Sequence, residues 1–236
     1  MLRVASWNVR DLLGDPWALR RVLAGLAADV VCLQEAPRRP GGGWRTARLA
    51  RDAGLRHAGG GRGSGGTALL LGPRVGVRSL LVTRLPVRGA LTRTRGLVVA
   101  ELAVVGGPSA GATLTVASLH LPLEPDLRVV HARQAVALLR ARPGPHVVCG
   151  DLNEAPGSPA WQELLTVASD PAPDAAPTFP AGREHVRLDA VLVGPGARVV
   201  TYGDGSADPA DVVAATDHRP VVADLEFPHS RRLSVR

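Results

Sequence analysis

The sequence predicts an α/β fold in which two sheets pack face to face and helices lie outside them. Apolar runs of strand length recur along the whole chain, and a few segments with helical periodicity interrupt them. Their order is strand–helix–strand, then several strands, then helix–strand–helix and more strands. A chain of 236 residues that is 45% apolar can bury such a core as one domain.

The first three elements form a strand–helix–strand unit. The N-terminal "LRVASWNV" alternates apolar and polar residues, which is typical of a buried strand. Asp15 precedes Pro16, and this pair favours a helix start because aspartate caps free amides and proline suits the first helical position. An apolar helix face follows, formed by Leu19, Val22, Leu23 and Leu26. The next strand, "DVVCLQE" (29–35), ends on a carboxylate.

The middle of the chain predicts a glycine-rich loop followed by consecutive strands. Residues 37–66 are rich in proline, glycine and arginine, with one short helical piece near 44–53. The stretch 59–66 predicts a loop or hairpin tip and lacks the P-loop pattern. Four apolar runs then predict a meander: "TALLL", "RVGVRSLLV", "GLVVAELAV" and "ATLTVASLHL".

The last third predicts two helices and four strands. A helix is expected within residues 124–141, and "HVVCG" predicts the next strand. Ser158-Pro159 predicts a second helix start, and three strands follow the proline-rich loop 171–180. The apolar stripe of the first helix is predicted to contain Leu127, Val130, Ala137 and Leu138. We assign residues 1–227 to one catalytic domain and residues 228–236 to a basic, flexible tail.

The net charge of +7 comes from arginine alone, since the sequence contains no lysine. Such an excess attracts polyanions, although a biased composition explains it equally well. Aromatic residues make up only 3%, which argues against a platform that stacks bases. Two cysteines in apolar runs favour reduced core residues. No membrane span or signal peptide is visible, so we expect a cytoplasmic protein without a transmembrane segment.

Polar side chains recur where the predicted strands end. Taken one by one, they could be ordinary turn or capping residues. Buried carboxylates are costly unless a cation or hydrogen bonds compensate them, so several at one sheet edge predict a hard divalent metal. These residues are Asn8, Glu35, His120, Asp151, Asn153, Asp189, Asp217 and His218.

The same residues lie in the ordered motifs "SWNV", "LQE", "SLHL", "GDLN", "RLD" and "TDHRPV", which span nearly the whole chain. With these motifs the sequence resembles the endonuclease/exonuclease/phosphatase superfamily, which includes deoxyribonucleases, abasic-site endonucleases, inositol-polyphosphate phosphatases and sphingomyelinases. The resemblance implies a four-layer α/β sandwich with two mostly antiparallel sheets. It also implies a phosphoester hydrolase that depends on Mg²⁺, with Mn²⁺ as a substitute.

The resemblance further implies a catalytic role for five residues. Asp151 would orient and deprotonate a water molecule, and Asn153 would hold that water or a phosphoryl oxygen. Two residues apart on an extended chain, both side chains would point to the same side. His218 would donate to the phosphoryl oxygen, and Asp189 would orient and charge its imidazole. His120 would contact the phosphate.

Metal and substrate ligands are implied in the same way. Glu35 would be the main metal ligand, with Asp217 as a second carboxylate and Asn8 on metal-bound water or phosphate. Arg95 and Arg10 would reach the phosphate. Arg10 occupies a position that is acidic in several nuclease relatives, which leaves the number of metals open, one or two.

Three functions remain open on the sequence alone. A phosphodiesterase that cleaves nucleic acid is favoured by the basic charge, which should then line the site through Arg10, the loop 38–62 and 93–95. A phosphatase or phosphodiesterase acting on a small phosphorylated metabolite or lipid headgroup is favoured by the short loops. A non-catalytic binding module is disfavoured because the catalytic set is intact. We expect a monomer.

Overall fold

The computed structural model describes residues 1–87 and 93–227, so the predicted tail 228–236 lies outside the described residues. The strands are β1 (Leu2–Asn8), β2 (Val30–Gln34), β3 (Arg56–Gly60), β4 (Ala68–Leu71), β5 (Val75–Arg84), β6 (Gly96–Val104), β7 (Thr113–His120), β8 (His146–Asp151), β9 (Asp189–Val193), β10 (Arg198–Gly203) and β11 (Val221–Glu226). The helices are α1 (Pro16–Gly25), α2 (Gly42–Asp52), α3 (Pro125–Arg140), α4 (Pro159–Leu164) and α5 (Pro209–Ala215).

The strands form two sheets, as predicted. The first has the order β10-β11-β1-β2-β4-β3, and the second has the order β5-β6-β7-β8-β9. Neighbouring strands are antiparallel except for β1–β2 and β7–β8, which are parallel. These mostly antiparallel sheets confirm the four-layer α/β sandwich.

Three apolar clusters hold the layers together. The central one lies between the sheets and joins residues such as Val4, Leu69 and Val98. A second packs α1, α2 and α5 onto the first sheet, and a third packs α3 and α4 onto the second. Because each sheet buries both faces, its central strands are continuous apolar runs, and these were the strands easiest to predict.

Several elements differ from the sequence prediction. The glycine-rich region contains β3, which pairs with β4 at the edge of the first sheet. β4 therefore belongs to a different sheet from β5, β6 and β7, and only these three form the meander. Helix α5 was not predicted, although Asp208 caps it by accepting from the backbone N–H groups of Ala210 and Asp211.

The apolar stripe predicted for α3 was wrong. Leu127 is buried, but Ala137 is exposed, and Val130 and Leu138 are only half-buried. Alanine fits either face of a helix, so the sequence does not fix which face packs. The residues that pack inward are Leu127, His131, Ala132, Ala135, Val136 and Leu139.

The topology brings four strand ends to one edge of the sandwich. The parallel pairs β1–β2 and β7–β8 place Asn8 opposite Gln34 and His120 opposite Asp151. β9 runs antiparallel to β8, so it begins with Asp189 opposite Asp151. Within the described ranges, no helix is long and apolar enough to cross a membrane.

Candidate active site

Asp151 is the last residue of β8 and is almost completely buried. Asn8 donates through Nδ2 to its Oδ2 at 2.9 Å, and the backbone N–H of Asn153 donates to its Oδ1 at 3.0 Å. Burial raises the pKa of Asp151 to about 7, and the nearby charge of Asp189 adds to the rise. The carboxyl group is thus able to exchange a proton near neutral pH.

Asn153 does not follow the extended geometry expected from the sequence. Its φ angle is 52°, so the chain turns in the left-handed region immediately after β8. The turn is closed by the bond from its N–H to the Asp151 carboxylate, and its Nδ2 donates to the carbonyl of Leu121 at 2.8 Å. Asn153 therefore lies beside Asp151 because of this turn rather than because of strand alternation.

His120 is neutral and lies beside Asp151. Its Nδ1 lies 3.0 Å from Nη1 of Arg95, and a guanidinium can only donate, so Nδ1 accepts. Its Nε2 then carries the proton and faces Oδ2 of Asp151 at 3.3 Å. Burial, together with the Arg95 cation, holds the pKa of His120 well below its ordinary value.

His218 has the opposite charge state. Its Nδ1 donates to Oδ2 of Asp189 at 2.8 Å, and its Nε2 lies 3.8 Å from Oδ2 of Asp151. Burial disfavours the charged ring, but the Asp189 carboxylate outweighs it and raises the pKa of His218 to about 9. At neutral pH the imidazolium therefore keeps a proton on Nε2, close to the Asp151 carboxylate.

Arg95 occupies the interior, behind His120. It is only 4% exposed, and burial lowers the pKa of its guanidinium to about 10, so it remains charged at neutral pH. Its position supports His120 directly, and it is not a surface residue. We use the term "buried half" for Asp151, Asp189, His120, His218 and Arg95.

The other predicted site residues form a more open border, which we call the rim: Glu35, Asp217, Arg10 and Arg93. Glu35 follows β2 in a left-handed conformation, with φ of 53°, and its Oε1 lies 3.7 Å from Nη1 of Arg93. Oδ2 of Asp217 lies 3.5 Å from Nε of Arg10. All four side chains reach solvent, and these ion pairs are longer than hydrogen bonds.

Two groups of residues fit a divalent metal ion. Asp151, Asp189 and His218 each offer a ligand atom within 4.8 Å of the others. However, Nδ1 of His218 already donates to Oδ2 of Asp189, so only Nε2 of the ring remains for an ion. Glu35 and Asp217 offer solvent-accessible carboxylate oxygens, the donors that a hard cation prefers.

An arginine pocket of about 350 Å³ lies next to the rim. Within residues 1–87 and 93–227, five arginines line it: Arg38, Arg39, Arg62, Arg84 and Arg93. Burial and the neighbouring Arg93 lower the pKa of Arg38, which reflects how closely the cations are grouped. Most of the arginines expected near the site are found here, whereas Arg95 is buried and Arg45 lies elsewhere.

Three further residues support the site and were not assigned a role from the sequence. The indole N–H of Trp7 donates to the carbonyl of His218 at 3.0 Å. The ring of Phe179 packs 4.8 Å from that of His218, and Thr178 accepts from the backbone N–H of Asp189. Trp7 lies within a family motif, but nothing local marks Thr178 or Phe179 in the loop before β9.

The fold and the site together define a class, the phosphoester hydrolases built on an α/β sandwich. The chain belongs to the endonuclease/exonuclease/phosphatase family, whose sequence profile matches residues 5–218. This family contains metal-dependent phosphoesterases. No curated protein sequence matches the chain significantly.

Solved structures of the same fold share little sequence with this chain. An endonuclease/exonuclease/phosphatase family protein from Bacteroides thetaiotaomicron has a TM-score of 0.75 and 18% identity, covering 97% of this chain and 95% of its own. A mannosyl-6-phosphatase from the same organism has a TM-score of 0.76 and 20% identity, covering 96% and 100%. The human Nocturnin catalytic domain, solved with a bound sulfate anion, has a TM-score of 0.68 and 18% identity, covering 96% and 94%.

Proposed function

We propose that this protein is a Mg²⁺-dependent phosphodiesterase that cleaves nucleic acid. The arginine pocket beside the rim carries the proposal. Among the described residues that line it, five arginines face one carboxylate, Asp11, so the pocket has an excess of positive charge for phosphates. Arg38 and Arg84 also donate to the backbone carbonyls of Thr94 and Arg62, which holds their side chains in place. A polynucleotide presents several phosphates in a row, and such a pocket can bind one while the next occupies the site.

Asp151 is the proposed general base. With a pKa of about 7, it can take a proton from a water molecule near the pH at which the enzyme works. The resulting hydroxide attacks phosphorus, and the bond to the leaving oxygen breaks. Asn8 and the backbone N–H of Asn153 keep the carboxylate in one orientation through hydrogen bonds, and Nε2 of His120 lies 3.3 Å from it.

His218 is the proposed donor to the phosphoryl oxygen. Asp189 keeps its imidazole charged and fixes its rotation, so the Nε2 proton points towards the neighbourhood of Asp151. Arg95 acts through His120 by holding that ring as the neutral tautomer, and Arg10 reaches phosphate from the rim.

Glu35, Asp217 and Asn8 are the proposed metal ligands, for Mg²⁺ or for Mn²⁺ as a substitute. When bound, the ion would offset the negative charge of the phosphate oxygens. We expect activity to vanish in excess chelator and to return when Mg²⁺ is restored. Full activity in chelator would overturn the metal dependence.

A phosphatase or phosphodiesterase of small molecules is the second candidate. The mannosyl-6-phosphatase from Bacteroides thetaiotaomicron has a TM-score of 0.76 to this chain, which shows that the same fold supports this chemistry. A small phosphomonoester would contact few of the pocket arginines. Salt dependence therefore separates the two candidates.

The test combines turnover with binding. The purified protein is assayed with Mg²⁺ on plasmid DNA, an abasic duplex, RNA, inositol phosphates, sphingomyelin and a bis-aryl phosphodiester. Binding of an Asp151→Asn variant to a short DNA duplex is then measured over a salt series. We expect plasmid nicking and a log–log salt slope of about −0.9 for each phosphate contact.

Removing two charges from the pocket sharpens the test. The double change Arg38→Gln and Arg39→Gln should lower affinity for the duplex and reduce the salt slope by about one to two. The matched control changes Arg140 and Arg198 to glutamine, two exposed arginines at the end of the sandwich opposite the site. No duplex binding at low salt, together with turnover of a small phosphoester, would favour the second candidate.

Oligomeric state and location remain predictions. We expect a monomeric enzyme in the cytoplasm. Sedimentation of the purified protein and fractionation of its host cells would check the two points separately.

A further inference from the structure

A second cleft opens beside the rim, between α1 and α2, with a volume of about 350 Å³. We call it the tryptophan cleft, because Trp17 and Trp44 line it and are 63% and 65% exposed. The other two tryptophans of the chain, Trp7 and Trp161, are buried. Rings as large as these usually bury most of their surface, so two exposed ones in a single cleft indicate a binding surface.

Arginines surround both rings. The guanidinium carbon of Arg20 lies 5.8 Å from the centre of the Trp17 ring, and that of Arg48 lies 5.5 Å from the Trp44 ring. Arg45 and Asp52 also line the cleft, so among the described residues three arginines face one carboxylate there. A ligand that suits this arrangement carries a flat ring for the tryptophans and negative charge for the arginines.

The tryptophan cleft and the arginine pocket lie on either side of one turn of the chain. Asp11 lines the arginine pocket, and the next residue, Leu12, lines the tryptophan cleft. The backbone N–H of Asp11 donates to the carbonyl of Glu35 at 2.8 Å, which fixes the turn to the rim.

The turn is strained, which indicates that its position matters. Arg10, Asp11 and Leu12 have φ angles of 44°, 57° and 53°, three consecutive left-handed conformations without a glycine. Such conformations are costly and persist only where the surrounding structure imposes them, often at functional sites.

We propose that the tryptophan cleft stacks bases of a single-stranded polynucleotide whose adjoining phosphates cross the arginine pocket to the site. The inference rests on the proposed nucleic acid substrate and specifies its form. A nucleotide has both required parts, a flat ring and a phosphate, and base stacking on aromatic rings is tolerant of sequence. A lipid surface fits less well, because the two tryptophans line a concave cleft instead of protruding from the protein.

Tryptophan fluorescence tests the proposal, because Trp17 and Trp44 are exposed while Trp7 and Trp161 are shielded. The Asp151→Asn variant, which should not cleave, is titrated with a short oligothymidylate and with an abasic chain of equal length. We expect oligothymidylate to quench emission and to bind more tightly than the abasic chain. Trp17→Ala or Trp44→Ala should each weaken oligothymidylate binding about tenfold or more.

Paired variants separate stacking from a loss of bulk. Trp44→Phe should keep most of the affinity, whereas Trp44→Leu should not, because only the former retains an aromatic face. Val105→Ala is the control, an exposed apolar residue in the turn between β6 and β7. Turnover of a bis-aryl phosphodiester by Val105→Ala on the active background should stay unchanged, because this residue lies outside both the cleft and the site.

The outcomes distinguish this inference from the proposed function. If the protein cleaves nucleic acid but all variants bind oligothymidylate with equal affinity, the cleft does not bind bases. The proposed phosphodiesterase activity would then still hold. Absence of polynucleotide binding and cleavage at low salt would overturn the proposed substrate itself. Binding to vesicles of phosphatidylglycerol and phosphatidylcholine that the tryptophan changes weaken, without quenching by oligothymidylate, would assign the cleft to a membrane surface.

Discussion

The buried half and the rim differ in how closely their charged side chains are bonded to neighbouring residues. In the buried half, His120 and His218 both face Oδ2 of Asp151, and distant residues fix their charge states at distances of 2.8–3.0 Å. In the rim, Glu35 and Asp217 pair with arginines at 3.5–3.7 Å and reach solvent. The buried half is therefore preorganised for proton transfer, while the rim can exchange its partners for a metal ion and phosphates.

The two histidines show that the neighbouring charged residue sets the protonation state of an imidazole. Both rings are buried at strand ends of the same sandwich edge. His120 lies beside the Arg95 cation and stays neutral, whereas His218 is bonded to the Asp189 carboxylate and stays charged. In the proposed mechanism the same side chain therefore has two tasks: His120 supports the base, and His218 donates a hydrogen bond to the phosphoryl oxygen.

The largest effect is expected from Asp151→Asn in the buried half. The amide keeps the shape of the carboxylate but cannot accept the proton, so turnover should fall by about 10²–10⁴-fold while substrate binding is kept. Steady-state kinetics measures the loss of turnover, and equilibrium binding measures whether substrate affinity is kept. Asp126→Asn, an exposed aspartate of α3, is the matched control. A loss of less than about tenfold would place the base elsewhere.

A large but pH-dependent effect is expected from Asp189→Asn. In the native protein the His218 proton is retained below pH 9 and lost as the pH rises through about 9. Without the Asp189 charge, only Asp151 and Asp217 oppose the effect of burial, so the pKa of His218 falls and the alkaline limb of activity should move to lower pH by about one pH unit or more. Rate profiles and a histidine NMR titration check this. If neither the alkaline limb of the rate profile nor the histidine titration changes, the proposed pairing of Asp189 with His218 is contradicted.

A conditional effect is expected from Glu35→Gln in the rim. The amide is a weaker metal ligand, so the Mg²⁺ concentration for half-maximal activity should rise by about tenfold or more. At saturating Mg²⁺ much of the turnover should return, unlike in Asp151→Asn. Glu124→Gln, an exposed residue before α3, serves as the control. A metal response identical to that of the native protein would remove Glu35 from the ligand set.

The smallest effect is expected from Arg10→Gln. Its ion pair with Asp217 is exposed to solvent, and such pairs contribute about 0–1 kcal/mol, so the melting temperature should hardly change. Duplex affinity should fall modestly, with a shallower salt slope. A loss of stability above about 2 kcal/mol would show that the rim is as firmly built as the buried half.

Elements that depend on local patterns could be predicted from the amino-acid sequence. Continuous apolar runs identified the central strands, and Asp15-Pro16 identified the start of α1, where Asp15 does cap the backbone N–H groups of Trp17 and Ala18. Polar residues at strand ends also identified the side chains that gather at one edge. Hydrophobic periodicity and capping act over a few residues, so a sequence can show them.

Properties that depend on residues distant in sequence became visible in the three-dimensional structure. The charge states of His120 and His218 follow from Arg95 and Asp189, which lie 25 and 29 residues away along the chain. Low aromatic content argued against base stacking, yet the structure exposes Trp17 and Trp44 in one cleft. Composition counts side chains without their positions, whereas pKa values and binding surfaces depend on which side chains the fold brings within a few ångströms.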